Sequence, residues 1–150
     1  MSDDARDGAP DQAHRRPDGV TDATVEALGK LAAAFDHIEG ARGRLYDFHR
    51  LCGSSERVLE EATALLRDAG HAGVADTLDR ELLGRNPLPG MWSFQMVEGY
   101  DDTYYDPATA LHRRILDELV EGRRHVFEAE MKELRRTHGR EGHEATPDDA

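Results

Sequence analysis

Five of the chain's nine aromatic side chains, Trp92, Phe94, Tyr100, Tyr104 and Tyr105, fall within residues 86–106. The same stretch carries Glu98, Asp101, Asp102 and Asp106, and neither Lys nor Arg. Rings that bury large areas while offering polar edges suit packing and recognition alike. Asp101, Asp102 and Asp106 form a DDxxxD run whose oxygens could hold a hard cation. Its spacing is not that of a calcium loop, and a helix cap already explains Asp106. A partner surface is therefore the better reading of the aromatic and acidic residues, with Trp92, Tyr100, Asp101, Asp102, Tyr104 and Tyr105 as its members.

Arginines supply a second candidate surface. Arg113, Arg124 and Arg135 are spaced eleven residues apart, which returns them to one helix face after three turns. Interleaved acids offer i, i+4 pairs, so a solvated, salt-bridged face is the plain interpretation. The functional one is that Arg113 and Arg124 help dock an acidic surface, such as residues 98–106 of this chain or of a second copy.

Metal and nucleophile chemistry have thinner support. His49 lies near an apolar stripe into which Arg42 also intrudes one heptad earlier. His112, Glu121 and His125 stand further along, with Glu121 and His125 four apart. A site drawn from His49, His112, Glu121 and His125 is the metal alternative. The chain has no Glu-x-x-His, His-x-x-x-His or His-Glu-x-x-His motif, and its one cysteine cannot build a usual structural zinc site. Cys52 follows a helix end, whereas thiolate activation favours a helix start or a cationic neighbour. No glycine-rich phosphate loop or G-x-S-x-G is present. No cofactor is expected, and the pattern points away from catalysis.

Composition bounds the partners. The chain has 150 residues, 38% apolar and 33% charged, with a net charge of −12. That acidity repels phosphate backbones and argues against nucleic acid. Apolar runs are only a few residues long, and Met1 is followed by acidic residues, so neither a membrane span nor a signal peptide is expected. A lone cysteine fits a reducing cytoplasm. Arg outnumbers Lys seventeen to two, a mark of a high-GC genome more than of function.

The elements that must position these residues are helices. Leu28, Leu31, Phe35, Ile38, Ala41, Leu45, Phe48 and Cys52 recur every three or four residues and predict a helix over 22–51. Gly53 with Ser54, Ser55 and Glu56 reads as a break and a new cap, giving a second helix over 55–69 closed by Gly70. A third covers 72–83. Asn86-Pro87-Leu88-Pro89-Gly90 cannot be regular helix. A short helix over 93–104 then carries the aromatics. Asp106 and Pro107 start a last helix through Leu111, Ile115, Leu119, Phe127 and Leu134 to about residue 137.

The expected fold is all-α and bundle-like, with two long antiparallel helices and two or three shorter ones packed across them. Residues 21–138 form its single domain. Residues 1–20 and 139–150 are polar, offer little to bury, and are expected as disordered acidic tails.

Residues 65–106, LLRDAGHAGVADTLDRELLGRNPLPGMWSFQMVEGYDDTYYD, resemble a stretch found in small all-helical actinobacterial proteins with no assigned activity. The resemblance rests on the GRN–W-x-F-Q–V-E–YDD–YY run. It implies a lineage and carries over no site residues. The functional expectation is a non-catalytic helical protein acting by self-association or partner binding, as a homodimer or a complex. A small ligand- or metal-binding helical-bundle domain, which could extend to an enzyme, with a pocket at His49, Trp92, Tyr100 and His112, is the rival.

Overall fold

The computed structural model describes residues 8–147. It is all-α: α1 (Asp22–Asp68), α2 (Ala72–Glu81), α3 (Ser93–Tyr100), a π-helical turn (Asp101–Tyr105), α4 (Asp106–Val120) and α5 (Val126–Arg135). The described residues form no strand beyond an isolated bridge between Leu88 and Met91. Among the described residues, no helix is long and apolar enough to cross a membrane. Contacts divide the chain into two compact units. A terminal unit joins residues 1–37 to 108–150, and a central unit holds residues 38–107.

The expected break at Gly53 does not occur, and α1 runs unbroken for 47 residues. A mid-helix glycine costs only about 1 kcal/mol against alanine, too little to end a helix held by packing. Ser55 turns its hydroxyl back to the Cys52 carbonyl at 2.8 Å instead of capping a new start. The inward spacing also continues across the site, with His49, Cys52, Glu56, Leu59 and Thr63 all at least partly buried. α1 closes as expected near Gly70, with the His71 N–H on the Leu66 carbonyl at 2.8 Å.

The last long helix is also not continuous. Glu121 and Gly122 take left-handed backbone angles, and the Gly122 N–H reaches the Leu116 carbonyl at 2.9 Å. His125, at φ +57°, leads into α5. Val120 and Val126 explain why the turn forms. Six residues apart on a straight helix they would point about 120° apart. After the turn both join Val25 and Leu28 in the core of the terminal unit. Phe127 packs so closely on α1 that a Cβ at Gly29 would lie 2.6 Å from its ring.

The N-terminal tail expectation meets a different arrangement over residues 8–20. Pro17 is buried, and the Arg16 guanidinium clasps Glu130 through two 2.6 Å hydrogen bonds. Arg16 also donates to Asp22 at 2.7 Å and to the Val20 carbonyl at 3.1 Å. Charge-assisted hydrogen bonds thus hold a segment that has little apolar surface to bury. Residues 1–7 and 148–150, which belong to the expected tails, lie outside the described residues.

Asp106 does not cap a new helix either. Its backbone is helical and its N–H reaches back five residues to the Asp101 carbonyl. Pro107 supplies the reason. A proline inside a helix removes one N–H and crowds the carbonyl four residues earlier, here that of Thr103. Widening to a π-turn over Asp101–Tyr105 relieves that crowding without ending the helical run.

Candidate functional site

The aromatic segment is positioned inside the central unit by α1. Arg42, the cation inside the apolar stripe, is its anchor. Its Nε and one terminal nitrogen donate to the two Asp101 carboxylate oxygens at 2.8 and 3.0 Å. The guanidinium also lies 4.4 Å from the Tyr105 ring centre and 5.1 Å from that of Tyr46, in cation–π range. Tyr105 donates its hydroxyl to Glu39 at 2.6 Å. Hydrogen bonding to Arg42 holds the Asp101 carboxyl below the ordinary carboxylate value. Hydrogen bonding to Glu39, with some desolvation, raises the Tyr105 phenol.

This placement corrects half of the expected outward surface. Asp101 and Tyr105 are half-buried and engaged by their own chain, whereas Asp102 and Tyr104 are exposed. Tyr100 is half-buried against Tyr104, with ring centres 5.4 Å apart. The arginine paired with Asp101 is Arg42, not Arg113 or Arg124. Those two are exposed and belong to the terminal unit. The 121–125 turn also dissolves their shared face, since Arg113 lies on α4, Arg124 in the turn and Arg135 on α5.

Trp92 and Phe94 open a second feature of the central unit. Each is 47% exposed, and with Pro87 and α1 they line a groove of about 450 Å³. Ser93, between them, is the first residue of α3 and is buried. Its hydroxyl lies 2.8 Å from His49 Nδ1, tying the start of α3 to α1. The Gln95 side chain accepts the Trp92 N–H at 2.9 Å and fixes the entry to that helix. Arg57, Glu60 and Arg85 bring charge to the groove's lining. Its chemistry is that of an apolar slot with charged residues at hand, suited to aliphatic or aromatic side chains.

The proposed metal residues fall in both units. His49 belongs to the central unit, and His112, Glu121 and His125 to the terminal one. His112 stacks on Phe35 with ring centres 4.1 Å apart, and desolvation, then the nearby His125, lowers its pKa. Glu121 pairs with Arg123 at 3.2 Å, and His125 lies 3.9 Å from Glu128. Among the described residues, no three His, Cys, Asp or Glu side chains stand together as a metal set. The rival pocket is half assembled, because His49 and Trp92 share the groove and Tyr100 does not line it. Sequence reasoning missed Ser93 and Arg85, whose types carry no signal by themselves, and it named Phe94 among the aromatics without assigning it to the partner surface. Arg42 did carry one, as a cation at an apolar position. No protein-family model, curated protein or solved structure matches this chain.

Proposed function

We propose that the protein is non-catalytic and acts by association, binding a polypeptide partner or a second copy through its aromatic segment. The observation that carries this reading is the half exposure of Trp92 and Phe94 around the groove. Large rings left open to water beside charged residues match the composition of interface hot spots. Exposed Tyr104 and Asp102 extend the surface, and Arg42, with Asp101 and Tyr105, holds it rigid so that little ordering entropy is lost on binding. Arg113 and Arg124 are separately exposed cations of the terminal unit. The single cysteine suits a reducing cytoplasm, and the 65–106 resemblance suggests an actinobacterial lineage.

Trp92 is the chain's only tryptophan, so its emission reports this site alone. Two conditions test the reading: raising the protein concentration, and adding peptides selected from a random library against the whole chain. A blue shift and loss of acrylamide quenching under either supports it. Trp92→Ala should weaken peptide binding by about 30-fold, the scale of one interface hot spot. Emission that stays unchanged under both conditions contradicts the reading. The apolar lining at Pro87, Trp92 and Phe94 favours a second reading, a small apolar ligand, which the same emission would register with a lipid-like probe.

A further inference from the structure

The turn at residues 121–125 holds strain inside a sequence patterned for one helix. Glu121, Gly122 and His125 take left-handed backbone angles, at φ +55°, +74° and +57°. Two of the three carry side chains, which disfavour that region. Yet Leu116, Val120, Phe127, Met131 and Leu134 would fall within about 60° of one another on a straight helix. Glu121, Arg123 and Arg124 are good helix formers, and Gly122 is the one poor residue among them. α4 and α5 joined would make one helix over residues 106–135, about 45 Å long. What keeps the turn bent is the seat of α5. Val126 belongs to the cluster with Val25 and Leu28 of α1, Phe127 packs over Gly29, and Arg16 clasps Glu130. The same seat on a second copy offers α5 the same partners without the left-handed turn.

We propose that α5 is an exchangeable arm: the 121–125 turn straightens, and α5 of each copy takes the seat of the other. The partner is a second copy of this chain, and no new surface is needed, because the contacts are those the terminal unit already makes. A short connection under strain between two packed elements favours such exchange. The straightened helix also has a coherent face for it. Leu116 and Val120 stay on their own core, and Phe127, Met131 and Leu134 continue the same face toward the other copy. Two exchanged copies lose the free motion of one chain and are relieved of two strained turns, so concentration selects between the forms. The inference goes beyond the aromatic-segment reading and shares no residue with it.

The test uses the full chain and separates exchange from any other dimer. Arg16→Glu alone and Glu130→Arg alone each set like charges at the α5 seat. In an exchanged heterodimer of the two variants the changed residues face each other, and so do the unchanged ones, so both pairs are restored. Mixed and warmed, the variants should form a heterodimer at least about 100-fold tighter than either homodimer by sedimentation. An unexchanged dimer restores neither pair. The hinge gives a second readout in two directions. Gly122→Ala puts a side chain at φ +74°, with its Cβ 2.8 Å from an Asp117 carboxylate oxygen, and should tighten the wild-type dimer at least about tenfold. His125→Gly relieves the strain at φ +57° and weakens a straight helix, so it should loosen the dimer by a similar factor. The proposal is overturned by the absence of a heterodimer between variants that keep wild-type helicity, or by a dimer that both hinge changes leave as it was. A dimer lost in Trp92→Ala but kept in His125→Gly would also overturn it while supporting the aromatic segment, so the two readings fail separately.

Discussion

Arg42 shows how one residue organises its surroundings. A cation at an apolar position is costly unless paired, and here it is held by the Asp101 carboxylate and by the faces of Tyr46 and Tyr105. The Asp101 carboxyl is held below its ordinary value of 3.8 by that pairing. A carboxyl depressed in the fold contributes stability that is complete above the unfolded value and is lost as the pH falls from there through the lower folded value. Acid titration followed through the Tyr105 ring signals should therefore show the π-turn loosening only below about pH 4. Asp101→Asn should show the loosened signals at neutral pH and a flat response in acid. Identical acid profiles for the two proteins would mean that the pairing does not anchor the turn. The pairing was half legible in sequence. The misplaced Arg42 was conspicuous, but its partner lies 59 residues away, and spacing alone does not connect them.

At the scale of elements, periodicity located the helices and misjudged their junctions. Gly53-Ser54-Ser55 has the composition of a break, yet packing on both sides of Gly53 outweighs a cost of about 1 kcal/mol. The last helix errs the other way. Its heptad pattern runs on through Gly122, and only the convergence of Val120 and Val126 in one core reveals the turn. Asp106-Pro107 resembles a start, but the π-turn absorbs the proline, an outcome that depends on α3 already being helical. Two glycines of α1 make these packing arguments measurable. Gly29→Ala drives a methyl into the Phe127 ring and should cost about 1–2 kcal/mol, an overpacking penalty less the gain in helix propensity. Gly43→Ala meets nothing within 4 Å and should stabilise by up to about 1 kcal/mol. Thermal melts should move in opposite directions. A Gly29→Ala protein at least as stable as the wild type would mean that Phe127 does not press on α1.

For the molecule as a whole, the two units differ in how they are held. The terminal unit has a cluster of Val25, Leu28, Val120 and Val126 with Ile115, Leu116 and Phe127 around it. The central unit relies on polar ties: Arg42 to Asp101, Arg67 to Asp76 and Asp79 at 2.6 Å each, and the Gly84 N–H to Glu56. Exposed ties of this kind add little stability singly. The central unit also presents the Trp92–Phe94 groove and, on α1, the exposed apolar side chains of Leu51, Val58 and Leu65. On the association reading proposed above, a unit with a thin core and an open apolar groove is completed by another chain. Light scattering of the purified chain across a hundredfold range of concentration tests this most directly. The predicted result is a mass approaching twice 16.7 kDa as concentration rises. A mass that stays at 16.7 kDa throughout, with Trp92 emission unchanged and no selected peptide bound, would contradict it.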